Sequence, residues 1–275
     1  LDFRKEVTGP SFWSQTAGVG LLTRNCLALG ALLAALPPLS AQINIFNLEE
    51  GLPLQITDTV ANRGFALQGA TLYDRKRVNE GDKKRDKDSY LLSSELQYGW
   101  GNSQVQVEWL RLTGPAERTI QITTAGFFRT LNQQKGLIPS TAVLGKVSFP
   151  IGDQSEGYDT SLRFLAALSA GASERAPRFI FNAEWFRNDK PREEQRRNIY
   201  AFSGGYMIRL TQRFLVVADL VWSQADERGA ISRLAEVGTC VALFRSLFLC
   251  SGAGKGLGND SPRFRFTFGL SLQQP

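Results

Sequence analysis

The chain has 275 residues, 43 % of them hydrophobic, a mean hydropathy of −0.18 and a formal charge of +6. A helical membrane bundle would need repeated apolar runs of about 20 residues, whereas a transmembrane barrel tolerates so ordinary a composition because only alternate residues meet lipid. Histidine is absent, which removes His-dependent hydrolytic triads and His-ligated metal centres.

The chain opens with "LDFRKEVTGPSFWSQTAGVGL", which has no clear period and reads as an upstream extension. "RNCLALGALLAALPPLSAQ" follows at 24–42, with a basic residue, a short apolar run broken by Pro37 and Pro38, and a small-residue exit. That order is the signature of a secretory signal peptide, with cleavage expected after Ala41; a buried core helix is the alternative. Residues 1–41 are therefore expected to be extension and signal, 42–63 an extended periplasmic lead-in, and 64–275 the working domain.

From Phe65 onward the sequence alternates with period two, the pattern of strands with unlike faces. Phe65, Leu67, Gly69, Thr71 and Tyr73 share the first face. Tyr90, Leu92, Leu96, Tyr98 and Trp100 then oppose Leu91, Glu95 and Gln97, and Val105, Val107 and Trp109 oppose Gln104, Gln106 and Glu108. In the fourth segment Ile120, Ile122, Thr124 and Phe128 are read as outward, against Gln121, Thr123 and Arg129. Val143, Val147 and Phe149 oppose Lys146; Leu162, Phe164 and Leu168 oppose Arg163; Phe179, Phe181 and Trp185 oppose Glu184. Tyr200, Phe202, Tyr206 and Ile208 oppose Arg209, and Phe214, Val216, Leu220 and Trp222 oppose Asp219. Two less regular segments cover 231–244 and 247–255. The last is "SPRFRFTFGLSLQQP", with Phe264, Phe266, Phe268, Leu270 and Leu272 on one side and Arg263, Arg265 and Thr267 on the other.

This makes about twelve strands, each near the length that crosses a bilayer at a tilt. The expected fold is all-β, a transmembrane antiparallel up-and-down barrel. A soluble β-sandwich also alternates, but its strands would not so regularly set charge opposite a purely apolar face. Tight turns are expected at Gly101-Asn102, Thr211-Gln212 and Arg245-Ser246, each after an even strand. Long charged links at 76–88 and 188–197 each follow an odd one, although 131–138 is longer than a short turn should be. With both termini periplasmic this is the loop asymmetry of outer-membrane barrels. Tyr73, Tyr90, Trp109, Trp185, Tyr200 and Trp222 then fall at the outer interface, and Trp100, Phe214, Phe244 and Phe248 near the periplasmic one, as two aromatic girdles.

"EEGLPLQITDTVANRGFALQGATLYDR", "GKVSFPIGD" at 145–153 and the closing "GAGKGLGNDSPRFRFTFGLSL" resemble a bacterial family of outer-membrane transporters labelled for the meta-pathway of phenol degradation. The likeness spans most of 43–272. It implies a small barrel that passes aromatic or other hydrophobic compounds, and it supplies no catalytic residues. The closing strand also looks like the signal read by the barrel-assembly machinery, although Gln273, Gln274 and Pro275 stand where an aromatic terminus is usual.

The expected lumen-lining set is Glu95, Glu108, Arg129, Lys146, Arg163, Glu184, Arg209, Asp219, Glu236, Arg263 and Arg265. Such charges either select solutes or pair with one another, because unpaired charge in a confined interior is costly. A lumen of about twelve strands lies between filled eight-stranded barrels and wide porins, so a narrow polar path for small-molecule solutes is expected. Cys240 and Cys250 flank Arg245 at equal offsets and are expected to form a disulfide in an oxidising compartment. A two-residue turn at Arg245-Ser246 would instead oppose Cys240 to Ser251. "GAGKGLG" at 252–258 lacks the ending of a phosphate-binding loop. No cofactor, metal, nucleic acid or enzymatic activity is expected; lipid and lipopolysaccharide are the expected surroundings. The alternatives are a surface-interaction barrel with a plugged lumen and a barrel lipid hydrolase.

Overall fold

The computed structural model describes residues 64–80, 83–113, 119–151 and 157–274, apart from 172, 174, 192, 194, 226 and 227. The expected signal peptide and periplasmic lead-in lie outside the described residues. The alternating segments form twelve antiparallel strands in chain order: β1 Gly64–Glu80, β2 Lys83–Trp100, β3 Ser103–Thr113, β4 Thr119–Asn132, β5 Ser140–Ile151 and β6 Asp159–Ser169, then β7 Arg178–Arg187, β8 Asn198–Thr211, β9 Phe214–Gln224, β10 Ile231–Ala242, β11 Leu247–Gly256 and β12 Phe264–Gln274. Each strand pairs with its chain neighbours, and β1 pairs with β12 from Phe65↔Gln274 to Arg75↔Phe264, closing the barrel. Within the membrane belt, closure pairs both edges of every described strand, which is what a sheet needs in hydrocarbon.

The outward face explains why the strands alternate. Leu96, Val107, Phe164, Leu220 and Phe268 are each about half exposed, at 50, 52, 45, 60 and 51 %. In water each such side chain would forgo part of the ~1.5–3 kcal/mol that burial gives, and so continuous an apolar surface marks contact with a membrane. Aromatic rings bound this belt at both ends. Tyr73 and Tyr90 are register partners with centroids 5.2 Å apart, and Phe202 meets Trp222 at 5.5 Å. At the other end Phe65 meets Tyr98 at a tilt, Tyr98 stacks on Trp100, and Phe179 meets Tyr206. Phe248 is not part of that girdle: it points inward and is fully buried.

The connections divide by length. Residues 101–102 and 212–213 are two-residue turns and 243–246 is a four-residue turn, all at the end taken as periplasmic. The expected turn at Thr211-Gln212 is displaced to Gln212-Arg213, because a register shift between Arg209 and Thr211 carries β8 one residue further. The 131–138 segment is a compact turn rather than a loop: Lys135 and Ile138 form a bridge around Gly136 (φ 59°), and Gln134 exchanges two hydrogen bonds with the Ser169 backbone. At the opposite end, 76–88 is mostly not a loop. β1 and β2 pair out to Glu80↔Lys83, so the charged run extends the hairpin beyond the membrane belt. There Arg75 holds Asp88 at 3.0 Å and keeps its carboxyl below the usual range.

Candidate functional site

The inward face changes character around the barrel and along its axis. In the periplasmic half an apolar arc runs along β4 to β11. Phe128, Ala142, Leu144 and Leu165 pack as one cluster, and Ala167, Ile180, Met207, Leu215, Val217, Cys240, Phe248 and Cys250 as another. On the opposite side, β12 to β3 carry Gln68, Gln97, Gln104, Gln106, Ser271 and Gln273 at the same level, all buried. Gln68 donates to Gln97 across β1 and β2 at 3.3 Å, and Gln104 donates to Gln106 at 3.5 Å. Amide side chains carry both donors and acceptors, so this arc can satisfy itself or a polar visitor.

Above this tier lie two ladders of charge. The first crosses β2 to β7. Glu95 and Glu108 are register partners, Lys146 Nζ donates to Glu108 Oε2 at 3.2 Å, and Arg163 donates to Glu184 Oε2 at 2.7 Å. Lys146 reaches Glu108 over β4 because its register partner there is Gly126, where a Cβ would sit 2.8 Å from Gln106 Cγ and 3.3 Å from Lys146 Cγ. The second ladder crosses β9 to β1. Asp219 and Glu236 are register partners; Glu236, Gly254, Arg265 and Asp74 then follow in one row across the sheet. Arg265 holds Asp74 with two bonds of 2.7 and 2.8 Å and reaches Glu236 at 3.8 Å. A Cβ on Gly254 would meet Glu236 Cγ at 2.8 Å, so glycine again opens the lane for an ion pair.

The structure thus directs Glu95, Glu108, Lys146, Arg163, Glu184, Asp219, Glu236 and Arg265 inward in these ladders, and Arg209 inward near the periplasmic end of β8. Two candidates fall elsewhere. Arg129 is exposed on the outward face, because β4 is inverted relative to the expected reading: Thr124 and Phe128 are 4 and 1 % exposed and point inward. Arg263 precedes β12 at the outer rim and is exposed, its N–H bonded to the Arg75 carbonyl. Asp74 joins the ladders although the expected set omits it; alternation against Tyr73 was the signal. Arg178, which donates to Ser169 Oγ at 2.9 Å, begins β7 where alternation gives little guidance.

Cys240 and Cys250 are register partners on the inward face, with sulfurs 2.06 Å apart. Residue 245 is the centre of the hairpin register, so Ser251 faces Thr239 rather than Cys240.

Neither a family model nor a curated protein sequence matches the chain. Solved structures do. The NanC porin superposes with a TM-score of 0.53 at 10 % identity, over 77 % of this chain and all of that one. The Acinetobacter baumannii outer membrane protein Omp33 gives 0.49 at 9 % identity, over 79 % of this chain and all of Omp33. The KdgM porin gives 0.47 at 10 % identity, over 76 % and 99 %. At 10 % identity the NanC likeness speaks for the fold alone, a closed antiparallel barrel of twelve strands. The apolar outer belt with its aromatic borders is the architecture of barrels that span the bacterial outer membrane.

Proposed function

We propose that the barrel is a passive channel for small solutes, aromatic and other hydrophobic compounds among them, with a narrow lumen. One observation carries the reading: the periplasmic half of the lining is amphipathic, with the Phe128–Leu165–Val217–Phe248 arc opposite the glutamine arc. Flat solutes bearing one polar substituent match such a wall, whereas hydrated ions find polar partners on one side of it only. In the ladders above each cation is held by a carboxylate, Lys146 by Glu108, Arg163 by Glu184 and Arg265 by Asp74. The resemblance to phenol-degradation transporters points the same way. The near-complete burial of Leu165, Val217 and Phe248 equally suits a lumen closed at its periplasmic end, the reading in which the barrel acts through its outer surface.

Planar-bilayer conductance and solute flux into liposomes separate these readings. Small conductance steps with faster flux of phenols than of sugars of similar mass support the channel. Replacing Leu165 and Val217 by Asn should raise ion conductance and erase the preference for aromatics. Silent bilayers and no flux for any solute would establish the closed barrel, and turnover of a lipid panel would establish a hydrolase.

A further inference from the structure

The lipid-facing surface carries a groove on β10 to β12 that the lumen does not explain. Its floor is Ala235 and Ala253, the outward residues of neighbouring strands, with the inward-facing positions Glu236 and Gly254 paired between them, and Val237 and Phe264 flank it. Two small side chains lie side by side on adjacent strands, in diagonal register. Here they drop the surface between Leu220, the register partner of Ala235, and Phe266, the register partner of Ala253. Both flanking side chains stand out, at 60 and 47 % exposure, and Phe264 meets Phe266 edge-on at 3.9 Å. The depression measures about 500 Å³, within the roughly 300–1,000 Å³ common for ligand sites. Its outer end is cationic on three successive elements: Arg233 on β10, Lys255 on β11 and Arg263 before β12, all exposed.

We propose that this groove is a binding site for a phosphorylated lipid of the outer leaflet, with an acyl chain along the alanine floor and a phosphate between Lys255 and Arg263. The charge lies where a headgroup would lie. The long connections, including 257–263 above the groove, mark the outer side of the membrane, and the cations sit one or two residues outward of the apolar floor on each strand. A guanidinium and an ammonium make a strong phosphate pair, the former by its fork of donors and the latter as a point charge. The nearby Asp260 carboxylate accepts the Ile231 N–H at 3.2 Å, so it is directed to the backbone of β10. The site lies on the outside of the barrel, and its fate is independent of whether the lumen conducts.

Native mass spectrometry of the purified, detergent-solubilised barrel titrated with bis-phosphorylated lipid A tests the proposal. One lipid per barrel is expected, with retention at least tenfold weaker for the same lipid stripped of phosphate. The K255E/R263E double variant should lose retention at least tenfold, and Ala253→Phe, which fills the floor and keeps the charge, should lose it as well. The R111E/R187E variant makes the same change of charge at exposed outer ends of β3 and β7 and should bind as the wild type does. Shifts of the band between boiled and unboiled samples report that each variant is folded. Equal loss in both double variants would reduce the effect to general attraction. Undiminished binding to Ala253→Phe, or no binding by the folded wild type, would remove the groove as a site.

Discussion

The two charge ladders occupy one tier of the barrel but are built differently. On β2 to β7 each cation has its own carboxylate, Lys146 with Glu108 and Arg163 with Glu184, and these side chains are about one-fifth exposed. On β9 to β1 a single guanidinium serves a row: Arg265 grips Asp74 and reaches Glu236, which adjoins Asp219. Arg265 is 10 % exposed and Glu236 not at all. The first ladder is redundant, and losing one member disturbs one pair. The second hinges on one residue. Desolvated charge is costly when its partner is removed and close to neutral when both are present, so the difference sets where the barrel is vulnerable.

The sharpest way to break the comparison is Arg265→Met. It leaves Asp74 and Glu236 without the cation they share, and breaking a buried pair of this kind costs about 3–5 kcal/mol. Arg163→Met leaves only Glu184 alone, with Lys146 two elements away, and should cost about 1.5–3 kcal/mol, the worth of a charged hydrogen bond. Urea unfolding in detergent micelles ranks the two. Adding Asp219→Asn to Arg265→Met should restore part of the loss. Equal costs for Arg265→Met and Arg163→Met would mean that the ladders do not differ as described.

Charge reversal tests the inward charges, in the ladder and below it, as part of a conducting path. Replacing Arg163 or Arg209 by Glu should shift ion preference towards cations, because a fixed charge sets the local potential of a narrow pore. Phe164→Tyr, next in sequence to Arg163 but 45 % exposed on the lipid face, should leave selectivity unchanged. Reversal potentials under a salt gradient give the readout, and matching shifts from the inward and outward substitutions would count against the path.

The second ladder also has a brace. Cys240 and Cys250 lie two inward rows below Glu236 and Gly254 on the same hairpin. A bond closing a ten-residue separation contributes about 2–3 kcal/mol through the unfolded chain. Cys240→Ser should therefore lower stability by that order while leaving Arg163-dependent selectivity intact. Alkylation of the unreduced protein followed by mass spectrometry gives the direct check: two alkyl groups added without reductant would overturn the bond.

Strand number, direction and closure were legible because lipid on one side enforces alternation that few other environments require. Most inward charges followed from the same parity, since an Arg163 between Leu162 and Phe164 has only one face left. What failed was the assumption that apolar means outward. Phe127 and Phe128 are adjacent, Ala125 and Gly126 carry little information, and either phasing of β4 was possible; the inner apolar arc took Phe128 and put Arg129 outside. Phe248 misleads for the same reason. The hairpin beyond Tyr73 was hidden by its charges, which read as loop although β1 and β2 pair through them. What crosses the lumen was not legible at all, because selectivity depends on which inward side chains meet, and period two says only that they share a face.

The smallest expected difference concerns the two glycine lanes. Gly126 lies under the Lys146–Glu108 pair and Gly254 under the Glu236–Arg265 pair, and a Cβ at either would come within 2.8 Å of a side-chain carbon. The identity of that carbon decides the cost. At Gly126 it belongs to Gln106, whose amide meets Gln104 only at 3.5 Å, so the chain can swing aside. At Gly254 it belongs to Glu236, which is drawn toward Arg265, and the backbone carbonyl of Ala235 waits 3.3 Å away. Moving Glu236 lengthens a pair already at 3.8 Å and leaves its carboxylate beside Asp219. Overpacking of this kind costs about 1–3 kcal/mol. Gly254→Ala should fall inside that range, and Gly126→Ala below it, under about 1 kcal/mol. If Asp219→Asn relieves Gly254→Ala in a double variant, the cost lies in the ladder; if it does not, the cost is steric alone and the shared-cation account of β9 to β1 loses its support.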